Sequence, residues 1–207
     1  TAVTEPPDSS RAGTGPAMPF VWDDTLPTLG ADRLSLRHLT GADADDIFAI
    51  FSDPEVMRYW RAVPMGTIEE ATAYIAHIHD SLRRRELFQW GISLTGSGRI
   101  IGTCTVLSVS APHQRAEIGF AMGCDHWGRG LAREAVTTVI TFAFDRLSLH
   151  RLEADVDPRN DRSLRLLERL GFRREGSLRE RYFVGGERQD AVLLGLLRPE
   201  WEARVAA

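Results

Sequence analysis

One stretch governs what this chain can fold into. Residues 116–122 (AEIGFAM) read as a strand, and shortly afterwards Leu131, Ala132, Ala135, Val136, Val139, Ile140 and Ala143 recur at helical spacing. Between them runs Gly123-Cys124-Asp125-His126-Trp127-Gly128-Arg129-Gly130. A chain that passes from strand to helix through closely spaced glycines can aim several backbone N–H groups in one direction, at the helix end that carries a partial positive charge. Such a junction can hold a pyrophosphate with main-chain atoms alone; a plain tight turn is the competing reading. The side-chain alternatives are limited, because the sequence contains no lysine and all 25 of its Lys-plus-Arg residues are arginine. A P-loop lysine and a Schiff-base lysine are therefore excluded. The dinucleotide fingerprint G-x-G-x-x-G fails as well, since Arg133 stands where its third glycine belongs.

The remaining periodicities surround this junction with strands and helices. Residues 1–25, rich in Pro, Gly, Ser and Thr, bury too little apolar surface to order themselves and are expected to be a tail preceding one domain over 26–207. Order is expected from about Leu34, where Leu34, Leu36 and His38 alternate with polar residues as in a half-buried strand. A helix follows around Ile47, Phe48, Ile50 and Phe51, its acidic start at Asp43, Asp45 and Asp46 suited to the helix dipole. Asp53-Pro54 and the aromatic stretch Met57, Tyr59 and Trp60 make a bend that walls a pocket or a satellite core. A second helix runs from Thr67 to Arg85, with Thr67 and Glu70 placed as a capping box. Strands at 88–94 and 100–109, joined at Gly96-Ser97-Gly98, form an antiparallel hairpin. After the helix at 130–146 come a strand at 151–156, a helix at 161–170 and strands near 173–182 and 189–196. The order implies an α+β fold: a mixed, mostly antiparallel central sheet flanked by helices.

Composition narrows the class further. At 207 residues there is room for one sizeable domain. The net charge of -4 offers no general footprint for nucleic acid, and no apolar run approaches the roughly 18 residues of a membrane span. With no secretory signal apparent, the expected location is cytoplasmic. Cys104 and Cys124 have neither metal-ligand nor disulfide spacing and read as small hydrophobes on strands; no metal is expected.

The run AEIGFAMGCDHWGRGLAREA, followed by HRLEADVDPRNDRSLRLLERLGFRREG, resembles the GCN5-related N-acetyltransferase (GNAT) family, specifically its RimJ/RimL branch that acetylates ribosomal-protein N-termini. The likeness extends from about Asp32 to Leu197, taking in ADRLSLRHL, DPEVMRYW and GERQDAVLLGLL. It implies a GNAT fold and transfer of acetyl from acetyl-CoA to a primary amine, either a protein N-terminal α-amine or a small-molecule amine, by direct attack in a ternary complex. It also implies that Gly128, Arg129, Gly130, Leu131 and Ala132 bind the pyrophosphate through their amides. Trp127 stands where the wider family usually has Gln or Arg, although tryptophan is common in this branch. The strand ending at Met122 should splay from that at 151–156, leaving amides of Phe120, Ala121 and Met122 to pair with pantetheine and polarise the thioester. Asn160 matches an asparagine that contacts pantetheine, and Ser163 a serine that stabilises or protonates the departing thiolate. Many relatives use a tyrosine for that step where Leu167 stands here. A second reading makes Asn160 a helix cap with Ser163 merely in the first turn.

An amine that arrives protonated must lose a proton before it attacks, so a carboxylate or water relay is needed near the thioester. Glu117, on the coenzyme-binding strand, is the first candidate, and Glu180, near the last hairpin, the reserve. Either could equally be a paired or surface carboxylate. His126 lies beside the phosphate loop, and His77 and His79 read as solvated helix residues. A non-catalytic module that senses acetyl-CoA is the alternative to an enzyme, and a homodimer is an allowed assembly.

Overall fold

A computed structural model of the chain describes residues 24–206. Eight strands form one sheet: β1 (Leu29–Gly30), β2 (Leu34–His38), β3 (Leu87–Leu94), β4 (Ile100–Ser110), β5 (Arg115–Met122), β6 (Arg151–Val156), β7 (Arg173–Val184) and β8 (Glu187–Leu197). Their spatial order is β1-β2-β3-β4-β5-β6-β8-β7. Every neighbouring pair is antiparallel except β5–β6, which is parallel. The helices are α1 (Ala44–Phe51), α2 (Pro54–Met57), α3 (Ile68–Arg83), α4 (Leu131–Asp145), α5 (Asp161–Arg169) and α6 (Arg198–Val205). This is the expected α+β architecture. No described helix is long and apolar enough to cross a membrane. The tail expectation falls almost wholly on residues outside the described range.

The sheet separates two apolar layers. On one face α4 packs with β2–β6, and on the other α1 and α3 pack with Met57, Ile100 and Ala121. Strand β5 serves both because successive side chains point to opposite faces. Ala116, Ile118 and Met122 enter the α4 layer, whereas Ala121 enters the α1–α3 layer. Glu117 therefore shares a face with Ala121.

Helix α4 is an instructive case of packing overriding propensity. Residues 136–141 (VTTVIT) are six consecutive β-branched residues, each costing up to about 0.7 kcal/mol in a helix relative to alanine. Val136, Val139 and Ile140 are fully buried, and each such side chain contributes roughly 1.5–3 kcal/mol on leaving water. Burial outweighs propensity. The helix is thus held by the sheet beneath it, and its N-terminus is fixed wherever the sheet puts it.

Several local expectations change. Order begins before Leu34: Leu26 is buried, the Trp90 indole donates to the Pro27 carbonyl at 2.9 Å, and β1 pairs with β2. Thr67 precedes α3 but makes no side-chain cap, and the Glu70 carboxylate accepts from the N–H of Gly66 at 2.9 Å rather than from that of Thr67. Asp43 and Asp46 do more than favour a helix dipole. Asp43 takes both terminal nitrogens of Arg37, at 2.9 and 2.6 Å, and Asp46 accepts from Arg99 and the Ile100 N–H, so α1 is tied to β2 and β4. Cys104 is a buried strand residue, its thiol pushed up to about 12 by burial, but Cys124 lies in a 3-10 turn after β5. His79 is not free in solvent: its ring stacks on His38 at 4.6 Å and its Nε2 donates to the Leu39 carbonyl.

Candidate active site

Parallel pairing between β5 and β6 covers three rungs, Arg115 with Arg151, Ala116 with Leu152 and Glu117 with Glu153. Beyond Glu117 the strands part, although β5 continues to Met122 and β6 to Val156. A wedge-shaped opening results, with strand backbone on both sides. The Gly123 N–H donates to the Ile101 carbonyl at 2.9 Å, which sets the alternation of the β4–β5 ladder. Ala121 and Gly119 turn their N–H groups toward β4, while Phe120 and Met122 turn theirs toward the opening. Of the three amides expected there, that of Ala121 is spent on the sheet.

The junction between β5 and α4 closes one end of this opening. Gly128 and Gly130 have φ values of 71° and 77°, a region that side-chain-bearing residues rarely adopt. A Cβ at Gly128 would meet nothing within 4 Å, so the loop's outer side is open. Gly130 is the N-cap of α4 and supplies no side-chain acceptor, leaving the first-turn amides of α4 without a capping side chain. Unpaired donors, a helix N-terminus and open space together fit the diphosphate of a coenzyme. Trp127 fixes the approach to this loop: its indole donates to the Met122 carbonyl at 2.6 Å and the Arg162 guanidinium lies 4.8 Å from its ring. The loop is also braced from outside. Arg33 donates to the Arg129 carbonyl at 3.0 Å and pairs with Glu134 in the first turn of α4 at 2.7 Å.

Helix α5 stands beside the opening, and its Arg162 reaches Trp127. Asn160 caps it, its Oδ1 accepting from the Ser163 N–H at 3.1 Å. The capping reading of Asn160 is therefore realised, while its amide nitrogen keeps two donors for another acceptor. Ser163 contributes only its backbone to that cap. Leu167 is fully buried in the core and offers no hydroxyl.

At the fork of the strands lies a charged cluster. Arg61 Nη1 is 3.3 Å from Glu117 Oε1, and its Nη2 donates to the Asp155 carbonyl at 2.8 Å. The same Nη2 is 2.7 Å from Asp155 Oδ1, out of line for a hydrogen bond, so that this buried oxygen has a cation beside it and no hydrogen-bond donor. Asp155 Oδ2 accepts from Arg181 Nε at 2.8 Å and from the Tyr182 hydroxyl at 2.7 Å. Arg61 also covers the Tyr182 ring at 4.1 Å. Burial raises the pKa of Glu117; the Arg61 guanidinium opposes that shift and the Asp155 charge adds to it. A carboxylate lifted in this way is poised to accept a proton nearer neutral pH. Glu180 is not gathered into the cluster. It sits in a bulge of β7 with φ 51°, its side chain is 66 % exposed, and it meets Arg188 at 3.6 Å.

Sequence reasoning passed over Arg33, Arg61, Asp155 and Tyr182. Arg61 directly follows the Met57–Trp60 stretch singled out as a pocket wall, and Asp155 lies inside the second family-like run. Neither position has a spacing signal of its own.

Comparison with known proteins agrees with this geometry. Residues 33–173 match the model of the acetyltransferase (GNAT) domain. The chain is 36% identical over 176 residues to the uncharacterized N-acetyltransferase p20 of Bacillus licheniformis, covering 85% of this chain and 99% of that protein. It is 28% identical over 170 residues to the spermidine N(1)-acetyltransferase of Vibrio cholerae, covering 82% and 95%. Among solved structures, Mycobacterium smegmatis RimJ in complex with CoA-disulfide superposes with a TM-score of 0.78 at 23% identity, covering 87% of this chain and 94% of RimJ, a likeness of fold. With a split sheet, a glycine junction at its end and a domain match spanning most of the chain, this protein belongs to the GNAT family of acetyltransferases and is an acyltransferase rather than a passive binding module.

Proposed function

We propose that the chain transfers the acetyl group of acetyl-CoA to a primary amine by direct attack in a ternary complex. The observation that carries this reading is the parting of β5 from β6 immediately after Glu117, which puts a carboxylate of raised pKa at the inner end of an opening whose outer end is the glycine junction. The amides at Gly128–Ala132 hold the pyrophosphate, and Trp127 sets the loop against the end of β5. The outward N–H groups of Phe120 and Met122 pair with the pantetheine arm and stabilise charge developing on the thioester oxygen. Asn160 adds an amide donor to that arm.

In the chemical step Glu117 takes a proton from the ammonium, and the freed amine nitrogen bonds to the thioester carbon. The carbon–sulfur bond breaks, the thiolate takes a proton from the Ser163 hydroxyl, and the second proton that the acylated nitrogen must lose passes through water back to the Ser163 oxygen. Glu117 then releases its proton to solvent. Glu180 takes no part in this scheme. An N-terminal α-amine and a small alkylamine both satisfy it.

A thiol-release assay with acetyl-CoA against alkylamines, spermidine and peptides with free N-termini tests the reading. Release of coenzyme A in proportion to acetylated amine supports it. Binding of acetyl-CoA without turnover on any amine would refute it.

A further inference from the structure

We propose that Arg61 is an internal stand-in for the acceptor's ammonium, and that the site takes an acceptor presenting an unhindered primary ammonium, which displaces the guanidinium from between Glu117 and Asp155 over the Tyr182 ring. The inference deepens the transferase reading above and rests on it for the identity of the opening.

Three observations carry it. The Asp155 side chain is 5 % exposed, and although Arg181 stays on its Oδ2, Asp155 and Glu117 together demand a second cation, which Arg61 supplies between them. A swap of one cation for another meets that demand throughout, whereas a neutral acceptor that pushed Arg61 aside would leave two carboxylates less well compensated. Second, the fit of Arg61 is imperfect. Its contact with Glu117 is long at 3.3 Å, and Asp155 Oδ1 has no hydrogen bond despite a guanidinium nitrogen at 2.7 Å. A planar fork cannot aim a donor at both carboxylates from this position. A compact ammonium, with three tetrahedrally arranged N–H groups, can serve Oδ1 and Glu117 and still lie over the aromatic face. Third, the further contacts of Arg61, a 2.8 Å hydrogen bond to the Asp155 carbonyl and the Tyr182 ring at 4.1 Å, belong to the cluster itself. Arg61 lies in the segment between α2 and α3, where residues 61–64 are exposed and Val63 retains 63 % of its surface. Withdrawal of the side chain therefore breaks no core packing. The Arg181 and Tyr182 bonds to Oδ2 remain when it leaves, so Asp155 is never bare.

The test compares wild type with Arg61→Ala and, should that variant fold poorly, Arg61→Gln. Binding of n-butylammonium and of guanidinium chloride is measured by NMR titration at constant ionic strength, with acetyl-CoA affinity followed separately by calorimetry. Both cations are expected to bind Arg61→Ala about tenfold more tightly than wild type, and the gain should vanish in Arg61→Ala/Glu117→Gln. In steady state the KM for n-butylamine should fall by a similar factor, and guanidinium should become a competitive inhibitor of the variant. Equal or weaker cation binding by the variant, or restoration of turnover by guanidinium, would overturn the proposal. Loss of the transferase reading would show differently, as failure of wild type to release coenzyme A with any amine whether or not acetyl-CoA binds, and the cation titrations would still decide the role of Arg61.

Discussion

The two ends of the opening are built on different principles. The end proposed to hold the phosphates is made of contiguous main chain: eight residues, Gly123–Gly130, carry β5 into α4, and two of them adopt positive φ. The end proposed to receive the acceptor is made of side chains from separated segments. Arg61 follows α2, Glu117 ends the part of β5 paired with β6, Asp155 lies on β6, and Arg181 and Tyr182 come from β7. A backbone site depends on local conformation and tolerates changes in distant residues. A side-chain cluster depends on the register of three strands, and a change in any member alters the charge felt by the others. Sequence change should therefore touch acceptor choice far more readily than use of the coenzyme.

The sharpest way to break that comparison is a carboxylate in the main-chain end. Gly130→Asp places a negative charge beside amides that serve an anion, at a position 3.5 Å from Arg33, which is already committed to Glu134. The positive φ costs about 1–2 kcal/mol, tolerable in a domain of this size. We expect acetyl-CoA affinity by calorimetry to fall about 100-fold or more, with the folded circular-dichroism spectrum kept. Unchanged affinity would remove the phosphate-loop assignment.

At the side-chain end Glu117→Gln keeps the shape and removes the basicity. Turnover at pH 7 should fall roughly 10²–10³-fold, within the usual range for acid–base catalysis. The sign of the pH dependence follows from burial raising the Glu117 pKa. Wild type should lose activity as pH falls through a value above the ordinary glutamate range near ~4.3, because the base becomes protonated. The variant has no such limb, and its deficit should narrow as pH rises and more of the amine arrives neutral. A deficit that is the same at every pH would mean the proton leaves by another route.

The same contrast explains what could be read from the sequence. The glycine junction and the alternation of β5 are local properties, so their positions emerge from spacing alone, and the family-like runs surround them. The family resemblance anticipated the parting of the strands, which no periodicity encodes. Glu117 was placed correctly on β5, yet its partners were invisible, since a salt bridge between residues 61 and 117 is a consequence of tertiary closure. Glu180, the reserve candidate for the base, lies outside the cluster for the converse reason. Alternation in β7 would place it predictably, but a bulge between Leu178 and Tyr182 turns Tyr182 and Arg181 to Asp155 and leaves Glu180 outside. On a smaller scale, the capping box expected at Thr67 is absent: the Glu70 carboxylate accepts from Gly66, one residue earlier.

Ser163, in the first turn of α5, permits a milder test. Its backbone N–H completes the Asn160 cap, so Ser163→Ala removes the hydroxyl and leaves α5 capped. We expect turnover to drop roughly 10–100-fold with the Michaelis constant for acetyl-CoA unchanged, because water partly replaces the lost donor. Equal turnover would reduce Ser163 to a first-turn helix residue.

The smallest effect should come from Arg33, which supports the main-chain end from outside. Its guanidinium bridges the Arg129 carbonyl and the Glu134 carboxylate, joining the loop to the first turn of α4 and both to the start of β2. The side chain is 52 % exposed, so water and salt screen the pair, and such contacts contribute about 0.2–1 kcal/mol. If the glycines and the buried face of α4 shape the loop, removing this brace loosens it only slightly. Arg33→Ala should weaken acetyl-CoA binding by roughly two- to fivefold, leave turnover at saturating coenzyme unchanged, and show a smaller difference from wild type as salt is raised. A loss as large as that of Gly130→Asp would show that the loop owes its conformation to a side chain, and would place the two ends of the opening under the same rule.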